Sequence, residues 1–386
     1  MFATIRRLLG LTARTTAPAA LAPMAPTLEV ETPPLPAAAA GLTPALVNVS
    51  APHAVASIST EATESDAPNP TATTVEAEAL PFPSRAAAAS VHTLRSAPID
   101  ASVAGLTAEL RTRIDGLATR HGDSDVTLLL DGIAAEPTAT IRQLPAAAQR
   151  ALALTQLSEP PMAELIAVFE EDPTLAQALL TQANSAFYGA SRAVLSVRDA
   201  LQRLGVSAAR NVLMAHSVSA LLCRPGGAYA QMVDEVWQHM VRTAPIARRI
   251  ASAFNAEPEE AFGLGLLHDV GKLVIFDQLT TLRLEKRREI VIAPESLRDI
   301  LAELHEPLGG LAVHNWNLGD AAAAAVATHH RNPVPLVRDA LSEVLYVAEA
   351  ADIAVIRGRD FDLAASWDRA SLGGSAIRVE RALLAA

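Results

Sequence analysis

The sequence predicts an all-α protein: a multi-helix domain preceded by a disordered N-terminal tail. Three observations carry this expectation. Half of the 386 residues are hydrophobic but only 4% are aromatic, and Ala and Leu supply most of that apolar content, a composition that favours helices over sheets. From about residue 141 onward, apolar residues recur three or four apart between short turns. No alternating strand pattern of useful length is present, and no repeat of roughly 20–50 residues.

Along the chain, residues 1–100 read as a tail. Met1 to Arg14 interleave Phe2, Ile5, Leu8, Leu9 and Leu11 with Arg6, Arg7 and Arg14. A frayed start to a linker is the favoured reading of so short a stretch, and peripheral contact with an anionic membrane surface is the alternative. It lacks the uninterrupted apolar core of a secretory signal. Residues 15–100 are rich in Ala, Pro, Thr and Ser, as in Thr32-Pro33-Pro34-Leu35-Pro36 and Asp66-Ala67-Pro68-Asn69-Pro70. Prolines break helices and large apolar residues are sparse, so disorder is expected.

Residues 101–137 form a helical lead-in, with Val103, Leu106, Leu110, Ile114 and Leu117 on one face and 123–135 a short helix or a loop. The main domain is expected over 138–360, with a C-terminal extension over 361–386. Asp172 caps a helix that begins at Pro173. Gly189 and Gly205 punctuate the following turns. Helices are expected over 233–254, 259–276, 297–304, 308–316, 320–330 and 335–357.

The formal net charge of −11 argues against a protein that coats DNA, because phosphate binding needs clustered Lys and Arg. Cys223 is the single cysteine, so no intramolecular disulfide is possible, and it reads as a small core residue. No apolar window is long enough to span a membrane. A cytoplasmic location follows as the expectation.

The chemistry-bearing residues begin with His268-Asp269, inside the apolar run 264–272. Burying this pair is unfavourable unless something compensates its polarity. A divalent metal would do so, since imidazole nitrogen and carboxylate oxygen are both ligands; a salt-bridged core pair is the alternative. Lys272 lies on the same helical face, placed to pair with Asp269 or with a bound phosphate. Glu235 and His239 are four apart on one helix. His305, the adjacent His329 and His330, and Asp352 each sit in or beside an apolar helical run. Such residues on several helices make sense if they converge on one cation site. His53, His92, His121, His216 and His314 have no partner at ligand spacing. Trp237 and Trp316 read as core, with stacking on a base as the alternative. Arg331 reads as a phosphate-holding cation or a solvated charge at a helix end.

The ordered set Glu235-xxx-His239, His268-Asp269-xx-Lys272, His305, His329-His330 and Asp352 resembles the HD superfamily of metal-dependent phosphohydrolases, above all its HD-GYP branch. The preceding segment resembles the N-terminal half of the HDOD domain, an HD-related output domain of bacterial signalling proteins. It carries Leu144-Pro145-Ala146, Asp172-Pro173-Thr174-Leu175, Asn184-Ser185-Ala186-Phe187-Tyr188-Gly189, Ser196-Val197-Arg198-Asp199-Ala200 and Leu204-Gly205. The resemblance implies that His239, His268, Asp269, His305, His329, His330 and Asp352 are metal ligands and that Glu235 is the extra carboxylate of a third metal. It also implies two or more divalent ions, iron or manganese, with Asp269 and Lys272 as catalytic residues if the domain is an enzyme. The Gly-Tyr-Pro signature is absent: Arg331-Asn332-Pro333-Val334-Pro335 stands in its place. The function implied first is a regulatory output module acting through a protein partner or a cyclic nucleotide. The alternative is a cyclic-dinucleotide phosphodiesterase, with Lys272 stabilising charge on the phosphoryl oxygens.

Overall fold

The computed structural model describes residues 100–188, 192–224, 227–331, 339–358 and 361–384. The expectations for the tail, His53 and His92 included, lie outside the described residues. Within them the fold is all-helical, in the order α1 (Val103–Arg120), α2 (Ser124–Ala135), α3 (Ala146–Thr155), α4 (Met162–Glu171), α5 (Pro173–Ala183), α6 (Val197–Leu222), α7 (Ala230–Ile250), α8 (Pro258–Gly265), α9 (Val270–Lys286), α10 (Pro294–Asn315), α11 (Asp320–Ala327), α12 (Ala340–Ile356), α13 (Leu363–Ala370) and α14 (Ala376–Leu384). Among the described residues no helix is long and apolar enough to cross a membrane.

Local chemistry sets the early boundaries. Ser102 caps α1 through the Gly105 N–H, and Leu106, Leu110, Ile114 and Leu117 face the core, while Val103 is exposed. Asp123 accepts from two backbone N–H groups and so settles 124–135 as a helix. Asp172 caps α5, with Pro173 at its first position. Gly205 adopts a non-helical backbone with positive φ, 77°, so that α6 consists of two helical stretches meeting at a kink there.

Two apolar cores result. One gathers the inner faces of α1 to α6 with α9 and α10; the other gathers the end of α7 with α8, α11, α12, α13 and α14. Elements at the junction of these two cores carry the buried histidines and carboxylates. Trp237 and Trp316 are buried, and the Trp316 indole donates to the Arg142 carbonyl, so both are core residues. Cys223 is a free, mostly buried thiol pushed up to about 12 by burial.

Three helix boundaries differ from expectation. The run 259–276 is two helices, α8 and α9, and His268-Asp269 occupy the turn between them. Residues 297–304 and 308–316 form one helix, α10, which runs through Pro307. A proline there leaves the Glu303 carbonyl without its helical donor; Arg113 of α1 supplies one at 2.7 Å, which removes the reason for a break. Residues 320–330 end as a helix at Ala327, so that His329 and His330 lie in the turn beyond it.

Candidate metal centre

The turn after α8 is the middle of the site. His268 Nδ1 donates to the Gly265 carbonyl at 2.9 Å, the leftover acceptor of a helix end. Asp269 stands at the N-cap position of α9, yet its carboxylate makes no capping bond and turns inward. Gly271 brings α9 against α10: a Cβ there would collide with the His305 carbonyl oxygen, so only glycine lets the two helices approach this closely.

Each of five histidines directs Nδ1 outward to an acceptor and Nε2 inward. His305 Nδ1 donates to the Leu301 carbonyl at 2.7 Å, and His329 Nδ1 to the Val326 carbonyl at 2.7 Å. His239 Nδ1 lies 2.6 Å from Asp352 Oδ2, and His330 Nδ1 3.2 Å from Glu349 Oε2. A carbonyl or carboxylate only accepts, so Nδ1 holds the proton and the Nε2 lone pair faces the cluster.

The Nε2 atoms converge on Asp269 in two groups. On the Oδ2 side are His239 at 3.7 Å and His268 at 3.5 Å, their Nε2 atoms 3.2 Å apart. On the Oδ1 side are His305 at 3.7 Å and His329 at 3.8 Å, with His330 Nε2 2.9 Å from that of His305. Two imidazole nitrogens held about 2.1 Å from one cation lie roughly 3.0–3.4 Å apart, close to these separations. Lys272 Nζ donates to Asp269 Oδ2 at 2.6 Å.

The donor set fits divalent cations. His239, His268 and Asp269 make one group that could hold an ion, and His305, His329 and His330 another. His268, His329 and Glu349 form a third, overlapping one. Asp269 Oδ1 and His329 Nε2 are buried with no hydrogen-bond partner, a costly state that a cation between them would relieve.

The electrostatics run the same way for three of the histidines and the opposite way for His330. Burial lowers His268, and burial with the Lys272 charge holds His305 well below the usual histidine range. Burial and His330 bring His329 to about 4. Neutral imidazoles are the form a metal needs. Burial works against the charge of Asp269, but Lys272 and the neighbouring histidines outweigh it and hold the carboxyl well below its usual range. Burial opposes charge on His330 and Glu349 as well; their mutual attraction prevails, raising the imidazole and lowering the carboxyl.

Of the sequence-derived candidates, His239, His268, Asp269, His305, His329, His330 and Lys272 are brought together. Asp352 stands one layer back, receiving His239 Nδ1 and the Arg242 guanidinium, with Arg242 Nε at 3.0 Å. Glu235 is half-buried on α7 and accepts from Gln231 at 2.9 Å. Glu349 was not singled out from the sequence. Its signal was available: it lies three residues before Asp352, on the same apolar helix. His121, His216 and His314 have separate partners, in Asp299, Thr174 and the Ala101 carbonyl. Arg331 is neither a phosphate-facing cation nor a solvated charge. It is buried and donates to the Ala370 carbonyl and Ser342 Oγ.

The Asn184–Tyr188 string proves structural. Asn184 Nδ2 donates to the Val194 carbonyl and its Oδ1 accepts from the Val194 N–H, tying the end of α5 to Val194. Phe187 and Tyr188 meet Arg248 of α7, whose guanidinium lies 3.7 Å from the Phe187 ring centre and donates to Tyr188 Oη.

The chain is similar to known proteins over the region that carries most of these residues. The HDOD domain profile matches residues 141–332. An uncharacterised protein of Treponema pallidum is 26% identical over 182 residues, 45% of this chain and 34% of its own length, so this chain spans about a third of that relative. A candidate phosphohydrolase from Shewanella amazonensis is similar in structure, with TM-score 0.51, 20% identity, and 64% of this chain and 91% of that one covered. A candidate signal transduction protein from Marinobacter aquaeolei aligns with TM-score 0.50 and 22% identity, over 73% of this chain and 65% of that one. These two likenesses concern the fold alone.

Proposed function

This chain belongs to the HDOD family, and we propose that it is a metal-binding regulatory module of bacterial signalling. Its centre would hold two or more divalent cations, iron or manganese. A protein partner or a cyclic nucleotide would take the output. One observation carries the reading: five imidazoles have Nδ1 tied to an acceptor, four of them present Nε2 to the two oxygens of one buried carboxylate, and the fifth, His330, sets its Nε2 against that of His305. A salt-bridged core pair would need one histidine, not five, and would leave no orphaned acceptor on Asp269. Asp352 and Glu349 would hold His239 and His330 in the ligating tautomer.

The binding role ranks above hydrolysis because the centre is closed. Asp269, His268 and His329 are fully buried, and among the described residues of the centre only the His330 side chain, 30% exposed, opens outward. A phosphodiesterase is the second reading, favoured by Lys272, whose ammonium lies beside the shared carboxylate. Bound cations would supply an activated water; Lys272 would balance charge near the phosphoryl oxygens. The test is metal analysis of protein purified without chelator. More than one equivalent of iron or manganese is expected, and none in the His268→Ala, Asp269→Ala double variant. Equal metal in both proteins would defeat the proposal. Turnover of a cyclic dinucleotide that depends on Asp269 and on added Mn²⁺ would move hydrolysis to first place.

A further inference from the structure

Arg331 directly follows the His329–His330 pair and is tied to a part of the chain beyond the HDOD match. Its N–H closes the turn onto the Thr328 carbonyl at 2.9 Å, and its backbone is left-handed at φ 50°, an unfavourable conformation for a side-chain-bearing residue that its surroundings must hold. Its side chain is 2% exposed, unusual for the longest cationic side chain. Nε donates to the Ala370 carbonyl at 3.1 Å, at the end of α13, and Nη1 donates to Ser342 Oγ at 3.0 Å, in the first turn of α12. Nη2 lies 3.8 Å from Glu343 Oε1. The other Glu343 oxygen accepts from the Gly373 N–H at 2.7 Å. One buried knot therefore joins the histidine turn, the start of the helix that carries Glu349 and Asp352, and the segment 370–373.

That segment is itself strapped across the molecule. Trp367 stacks on Phe254 with ring centres 5.4 Å apart, and the Ser375 N–H donates to the Ala253 carbonyl. Val379 and Leu383 of α14 are buried in the second core, and α14 packs on α7, which carries His239. Residues 361–384 thus touch three of the elements that hold the candidate ligands. A tail needing only adhesion would be served by apolar contacts, because a buried ion pair is a poor source of stability. What the knot supplies is a fixed geometry at the residue next to His330.

We propose that the C-terminal strap sets the position of the His329–His330 turn through Arg331, a positioning residue outside the ligand set, and so tunes cation binding on the Oδ1 side of Asp269. This rests on the metal-binding reading, but one consequence does not: in metal-free protein, loosening the knot should already change how His330 is held.

The experiment uses the full chain and three variants, Arg331→Gln, Arg331→Lys and Trp367→Ala. Trp367 touches no candidate ligand, so it tests the strap even if Arg331→Gln fails to fold. Two quantities are read well below the melting temperature. One is Mn²⁺ affinity by calorimetry; the other is the rate of His330 modification by diethyl pyrocarbonate in chelator-treated protein, located by peptide mass spectrometry. Arg331→Gln should weaken the Oδ1-side ion by ~10-fold or more, the range seen when groups supporting a ligand are removed, and should speed His330 modification severalfold. Arg331→Lys keeps the charge beside Glu343 without both hydrogen bonds and should fall between it and the wild type. Trp367→Ala should shift both quantities in the same direction. The ion on the His239–His268 side should be unaffected. Variants that lower only the melting temperature, leaving Mn²⁺ affinity and His330 reactivity at wild-type values, would overturn the proposal. If the wild type takes up no Mn²⁺, the metal reading fails, and the His330 rates still decide the coupling.

Discussion

The two sides of Asp269 are built from different materials. On the Oδ2 side, His239 sits mid-helix in α7, and its ring is held by a carboxylate that an arginine fixes in turn. Both histidines there are buried. On the Oδ1 side, His329 and His330 stand in a turn beyond α11, and the ring of His330 reaches the surface. Each side has one helix-borne histidine, His239 in α7 and His305 in α10; the first adds His268 from a fully buried turn, whereas the second adds His329 and His330 from a turn that reaches the surface and so depends on what holds it. If cations bind as proposed, the Oδ1-side ion would be the more responsive to its surroundings.

The largest expected effect comes from removing what the two sides share. Asp269→Asn should abolish cation uptake on both and strand the buried Lys272 ammonium, at a cost of about 3–5 kcal/mol in unfolding free energy, read by urea denaturation. Retention of one full equivalent of metal would break the picture of a shared carboxylate.

Single-side variants sharpen the comparison. His268→Ala should remove the Oδ2-side ion and His305→Ala the Oδ1-side ion, each leaving about one equivalent by metal analysis. Loss of all metal from either variant would mean the sides are not separable. Asp352→Asn should act more mildly, weakening the Oδ2-side ion by ~10–100-fold as expected for a group that orients a ligand. Equal weakening on both sides would show that Asp352 serves the whole centre.

Acid should expose the difference in a third way. In chelator-treated protein, His268, His305 and His329 are held below the ordinary histidine value of 6.5, His329 at about 4. The unfolded chain therefore binds protons first, and stability should fall as pH drops from about 6.5 toward 4. His330 is shifted up, so its contribution is present at low pH and is lost as pH rises through its raised value, opposing the trend. Asp269 and Glu349 are shifted down, and their contribution is lost only at still lower pH. Urea midpoints between pH 7 and 4.5 check the sign, and His330→Gln should steepen the slope. A flat profile in both proteins would contradict it.

The smallest effect lies away from the centre. Cys223, pushed up to about 12 by burial, should react with iodoacetamide at pH 9 at least ~100-fold more slowly in the folded chain than in urea. Fast alkylation without denaturant would show that the first core opens readily.

Much of this was legible in the residues. Helical spacing placed α1, and a cap with a proline after it started α5 at Pro173, because both signals are local. Most of the buried cluster was legible too, namely His239, His268, Asp269, Lys272, His305, His329 and His330, because buried histidines and carboxylates in apolar runs are out of place unless something joins them. Other boundaries turned on partners far away. Nothing near Pro307 tells that Arg113, nearly two hundred positions earlier, covers the carbonyl the proline abandons. Little in the 264–272 run beyond Gly265 tells that its helix ends there, in a turn that frees Asp269 to face inward.

By itself, then, the sequence determined the helical class, the local caps and the identity of most groups at the centre, since composition, periodicity and residue chemistry act over a few positions. Only the tertiary structure decided how those groups divide the work. It set Asp352 behind His239 beside Arg242, brought Glu349 to His330, and buried Arg331 against the C-terminal strap. Those assignments depend on which helices lie side by side, and packing between elements distant in sequence, such as α9 against α10 across Gly271, is what fixes that.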